Sequence, residues 1–150
     1  MPIKPNDLST IRDLLRYAVT RFNTAKLFFG HGSTNALDEA AYLILHTLKL
    51  PLDKLDPFFD AHLLQEEVDA VLRVIEQRAD ERLPAAYITN EGWLGGYRFY
   101  VDERVIVPRS FIAELIPEQF SPWVSNPDKV NNILEPVSYT HLRAHETRGN

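Results

Sequence analysis

The chain has 150 residues, 45% of them hydrophobic, and sets 16 Lys and Arg against 21 Asp and Glu for a net charge of −5. That composition supports a packed core and excludes wholesale disorder, while the acidic balance argues against nucleic-acid binding, which needs clustered Lys and Arg on phosphate. The absence of cysteine excludes disulfides, thiolate metal sites and a cysteine nucleophile, and no apolar run approaches the roughly 20 residues that span a bilayer.

The opening Met1-Pro2-Ile3-Lys4-Pro5 lacks the apolar segment of a secretory leader, so a cytoplasmic protein is expected. Ser9 stands as N-cap to a first helix. In it Ile11, Leu14, Leu15, Ala18, Val19 and Phe22 form one apolar stripe at helical spacing, with Arg12, Asp13, Arg16 and Arg21 on the wet side. Leu27, Phe28 and Phe29 run into Gly30-His31-Gly32, which breaks the helix. Ser33, Thr34 and Asn35 offer caps for a second helix from about Ala36 to Leu48. Its apolar residues, Leu37 among them, cover more than one side, as in the central helix of a bundle.

Pro51 ends that helix, and Leu52 to Phe59 reads as a short helix or turn. A third helix is predicted from Gln65 to Arg82. Val68, Val71, Leu72, Ile75 and Ala79 face inward, and Glu66, Glu67, Asp69, Arg73, Glu76 and Arg78 face outward. Pro84 opens a further turn through Ile88. The pattern then changes. Trp93-Leu94, Gly95-Gly96 and Tyr97 to Val101 read as a β-hairpin with a glycine turn, whose alternating Tyr97, Phe99 and Val101 are expected to pack on neighbours. Asp102-Glu103 makes a turn, Arg104 to Val107 a short strand, Phe111 to Ile116 a short helix, and Val130 to Leu134 the start of a buried strand.

Few residues carry candidate chemistry. Gly30-His31-Gly32 lacks the third glycine and the preceding strand of a dinucleotide loop, and reads as a helix-ending turn; His31 has no nucleophile beside it. His46 and His62 read as packing or surface residues. His141 and His145 have the i, i+4 spacing of zinc ligands but no third ligand. Pro108, Arg109 and Ser110 form a turn between strand and helix, either a plain connection or the lip of a ligand pocket, with Ser110 as cap.

The run Tyr100-Val101-Asp102-Glu103-Arg104-Val105-Ile106-Val107-Pro108-Arg109 resembles the linker signature of the PrmB/PrmC (HemK-like) protein-glutamine methyltransferases. Thr10 to Arg16, Phe28 to Gly32, Asp38-Glu39-Ala40 with Ile44 to Leu48, Arg82 to Tyr87, and Ile112 to Ile116 resemble the PrmB type in particular. The resemblance covers nearly all of residues 8 to 135. It implies a mainly α chain: a helical bundle over residues 1–90 that engages the protein substrate, a hairpin linker over 91–110, and the start of a Rossmann-like α/β methyltransferase domain over 111–135.

The implied parent uses S-adenosylmethionine to methylate the side-chain amide of a glutamine in the third protein of the large ribosomal subunit. The acidic balance suits such a basic partner. The alternatives are a helical module that binds a basic ribosomal protein without catalysis, and the release-factor enzyme of the PrmC type. Phe111 stands where the PrmB type has proline, and after Glu135 the family's glycine turn and Asn-Pro-Pro-Tyr motif do not appear. No catalytic, cofactor-binding or metal residue is therefore assigned, and this chain is expected to bind no cofactor. Residues 136–150, Pro136-Val137-Ser138-Tyr139-Thr140-His141-Leu142 onward, match a translated sequencing adaptor and are expected to be non-native.

Overall fold

A computed structural model of the chain describes residues 8–30 and 32–132. His31, the continuation of Val130 into Ile133 and Leu134, and the 136–150 tail with His141 and His145 lie outside the described residues. The chain divides into two compact units, residues 1–113 and residues 114–150.

Helix α1 spans Ile11–Thr24. Its cap is Thr10 rather than the expected Ser9. Thr10 Oγ1 accepts from the Asp13 N–H at 3.2 Å, and the Asp13 carboxylate accepts from the Thr10 N–H at 3.1 Å, a reciprocal capping box. These bonds, the Thr10 hydroxyl foremost, hold the Asp13 carboxyl below its ordinary value. The helix stops well before the glycines: Lys26 already sits in the left-handed region, at φ 49°.

Helix α2 spans Ala36–Thr47, with Asn35 Oδ1 accepting from the Asp38 N–H at 2.9 Å. Its buried Ala40, Leu43 and Ile44 meet Leu14, Ala18 and Phe22 of α1 in one core. Leu37, expected on an apolar face, is 52% exposed in the first turn. A short 3-10 turn covers Asp56–Phe58, and the segment after it is tied to the start of α1. The Arg12 N–H donates to Phe59 O, the Leu63 N–H donates to Ser9 O, and the Arg12 guanidinium lies 4.0 Å from the Phe59 ring centre.

Helix α3 spans Gln65–Ala79 and ends three residues short of Arg82, which takes φ 60°. At its start Glu67 reaches back to the Leu64 N–H at 2.8 Å. Val68, Val71, Ile75 and Ala79 close the core, as their spacing predicts. Arg78, expected on the wet side, is instead only 6% exposed. It lies three positions after Ile75, on the inward face, and α2 supplies the buried Glu39 that neutralises it.

Helix α4, Ala85–Thr89, follows Pro84 and buries Ala85 and Ala86. Strands β1 (Glu91–Leu94) and β2 (Tyr97–Tyr100) form an antiparallel pair in which Gly92 faces Phe99 and Leu94 faces Tyr97. The connection is Gly95-Gly96, both at positive φ, as a tight two-residue hairpin turn requires. Arg104 to Val107 is not a strand: Arg104 lies in a turn and Val105 at a bend. No ladder partner lies beside it among the described residues, and only Val107 of the four is buried.

The expected packing of the hairpin aromatics is also not seen. Val101 is buried, but Tyr97 and Phe99 are exposed because a two-stranded sheet offers no second layer on that face. Helix α5 is the single turn Ile112–Leu115. In the second unit, the described residues form turns and a 3-10 segment at Pro127–Lys129. Val130, expected to open a buried strand, is exposed and non-strand there.

Candidate functional site

Within the first unit the 84–110 segment forms a small packed body against the helices, with Ala85 and Ile88 sharing the helical core. Asn90 ends α4 in the left-handed region at φ 56°, a conformation asparagine tolerates. Its side-chain amide donates to Val101 O at 3.1 Å while its carbonyl accepts from the Val101 N–H at 3.3 Å, so one residue closes the base of the hairpin. Val101 and Val107 pack with Ala86, flanked by Tyr87, in a second apolar cluster. The Tyr87 hydroxyl donates to Val105 O at 2.7 Å and holds the 104–107 segment beside α4.

Glycine is required at position 92. A Cβ there would lie 2.9 Å from Pro108 Cδ and 3.1 Å from Val101 Cγ1. The turn between Val101 and Val105 is locked by charge. The Arg104 guanidinium and backbone N–H both donate to the Asp102 carboxylate, and these bonds, the guanidinium first, bring the Asp102 carboxyl down to about 2.

Polar groups join this body to α2. His46 Nε2 lies 3.7 Å from Glu91 Oε1, which also accepts from Arg98 at 3.0 Å. Tyr42 donates to the Thr89 hydroxyl at 3.2 Å, and burial pushes its phenol above the ordinary value. His46 is half-buried beside the Tyr42 ring and His62 is exposed, where the sequence placed them.

A shallow cleft of about 250 Å³ is lined by Pro84, Tyr87, Ile106, Val107 and Arg109. The three residues of the 108–110 turn thus separate. Arg109 lines the cleft, Pro108 packs on Gly92, and Ser110 Oγ accepts from the Ile112 N–H at 3.2 Å, two residues before α5 begins rather than at the cap position next to it. Pro84 was read from the sequence as the opening of a turn, and both Pro84 and Tyr87 as part of a family-like run, but neither as a lining residue of a cleft. Tyr87 carries a signal only in retrospect, as a phenol on a short helix just after two buried alanines.

These residues do not fit a nucleoside sulfonium such as S-adenosylmethionine. The cleft is smaller than the roughly 300–1,000 Å³ typical of ligand sites, and its lining has one cation and no carboxylate to meet ribose hydroxyls or a positive sulfur. Among the described residues no three His, Asp or Glu side chains converge as a metal site, and no helix is long and apolar enough to cross a membrane.

No protein-family model matches the chain. It is similar to a protein of Burkholderia pseudomallei named ribosomal protein uL3 glutamine methyltransferase, 62% identical over 135 residues, covering 90% of this chain and 44% of that relative. Relatives of the same name in Neisseria meningitidis serogroup B and Bordetella pertussis are 60% and 58% identical over 129 residues, covering 86% of this chain and 43% of each. Over nine-tenths of its length the chain is therefore a homologue of the ribosomal protein uL3 glutamine methyltransferases, and it spans less than half of theirs.

Proposed function

We propose that this chain forms the helical, substrate-engaging part and the hairpin linker of an S-adenosylmethionine-dependent enzyme. The parent would methylate the side-chain amide nitrogen of a glutamine in ribosomal protein uL3. The observation that carries this reading is the 62% identity over 90% of the chain to a protein of that name. In this reading residues 1–90 engage the substrate, 91–110 link, 111–135 begin the methyltransferase domain, and 136–150 are a non-native tail. The setting is the cytoplasm, with no membrane or nucleic-acid contact.

Amide alkylation needs a nucleophile aligned with the donor and shielded from water, and hence an enclosed pocket. The 250 Å³ cleft supplies no such enclosure. By itself the chain is proposed to bind no methyl donor and to transfer no methyl group. Its net charge of −5 supports attraction to a basic ribosomal protein.

Titration calorimetry tests both halves. S-adenosylmethionine is expected to give no binding heat, and purified uL3 to bind at low salt and release at high salt. One-site binding of the methyl donor overturns the first half, and no uL3 binding at low salt overturns the second.

A further inference from the structure

The hairpin ends in an unblunted edge. All four residues of β2 are exposed although three are aromatic, with Tyr97 at 74%, Phe99 at 44% and Tyr100 at 70%. With Trp93 at 52%, these side chains present on the order of 500 Å² of surface, taking about 200 Å² for each whole side chain. They stand on both faces of the hairpin, Trp93 and Tyr100 on one and Tyr97 and Phe99 on the other, so pairing along the β2 edge covers only their flanks and the main chain supplies the contact. Protein edges are usually guarded by lysine, proline or a bulge. β2 has none of these, and Arg98 is its only charge.

The main chain is unsatisfied in the same place. The Val101 N–H donates to Asn90 O, and inward and outward residues alternate along an antiparallel ladder. Tyr97 and Phe99 therefore bond inward to β1, and Arg98 and Tyr100 turn N–H and C=O outward. Neither has a main-chain partner there among the described residues.

We propose that two copies of this chain pair β2 against β2, antiparallel, about a twofold axis at Phe99, to make a four-stranded sheet. In this register Arg98 stands opposite Tyr100 of the second copy on each side of the axis. The outward groups of all four residues are satisfied by about four new hydrogen bonds. The strand's one charge meets an aromatic ring rather than its own kind. Phe99 faces Phe99 of the second copy in the close, non-hydrogen-bonded position. The strand is thus complementary to itself, as an isologous interface requires.

Sedimentation equilibrium from low to several hundred micromolar is expected to show a monomer–dimer equilibrium. Phe99→Lys opposes two like charges at the axis and is expected to weaken it at least about tenfold. The chain has no cysteine, so Phe99→Cys places one thiol at the axis. With Cα atoms about 4.5 Å apart in such a pair, within disulfide reach, mild oxidation is expected to give a covalent dimer. Leu37→Cys, at an exposed site on α2, is expected to give none. A monomer at every concentration, association undiminished by Phe99→Lys, equal cross-linking at residues 37 and 99, or an open ladder of oligomers would each overturn the proposal.

Discussion

Arg78 Nε on α3 donates to Glu39 Oε1 on α2 at 2.5 Å, with the two residues only 6% and 3% exposed. The same guanidinium donates to Phe28 O at 3.1 Å, so one buried cation holds α2, α3 and the α1–α2 connection together. Removing one member leaves the other charged and unpaired out of water. Glu39→Gln and Arg78→Met are each expected to lower stability by about 3–5 kcal/mol, whereas the double variant Glu39→Leu/Arg78→Met restores most of it. Urea unfolding followed by circular dichroism measures both. A single variant as stable as the parent would show the pair to be dispensable.

The capping box of α1 is expected to show its worth through pH. Thr10→Ala is expected to destabilise by about 1 kcal/mol at neutral pH. Because the Asp13 carboxyl lies below its ordinary value in the folded chain, its contribution is present above the unfolded carboxylate's pKa. It is lost as pH falls through the lower folded value. The gap between parent and variant should therefore narrow in strong acid, as read from melting temperatures across that range.

Gly92→Ala is expected to force Pro108 and Val101 apart, costing about 1–3 kcal/mol as an overpacking change. The displaced Pro108 should loosen the neighbouring 105–109 segment. Hydrogen exchange there should accelerate, while the amides of Leu14 and Ile44, deep in the helical core, keep their protection.

The Asp102 turn makes a direct spectroscopic prediction. In the folded chain the carboxyl carbon of Asp102 should titrate near pH 2. Arg104→Gln removes the guanidinium, the largest cause, so the midpoint should rise toward the ordinary aspartate value of about 3.9. An unchanged midpoint would show that the guanidinium is not the main cause of the shift.

Helices α1 to α3 were legible because their apolar residues repeat at helical spacing, and the hairpin because two glycines separate alternating residues. Position in the period proved a better guide than residue type at Arg78. It falls on the same face as Val71 and Ile75, and its charge alone suggested the surface. Arg104 to Val107 has strand-like residues, but a strand needs a neighbour, and pairing is not written in a local pattern. The 108–110 turn was found as a turn. The cleft beside it depends on Pro84 and Tyr87, some twenty residues earlier, which only the fold brings to Arg109.

Trp93 and Trp123 are 52% and 73% exposed, and the helical core is centred on Phe22 with no indole in it. The two emitters already sense water in the native molecule. Their fluorescence will hardly change colour when the bundle melts, and a dye-free optical melt on that signal would score an unfolded core as intact.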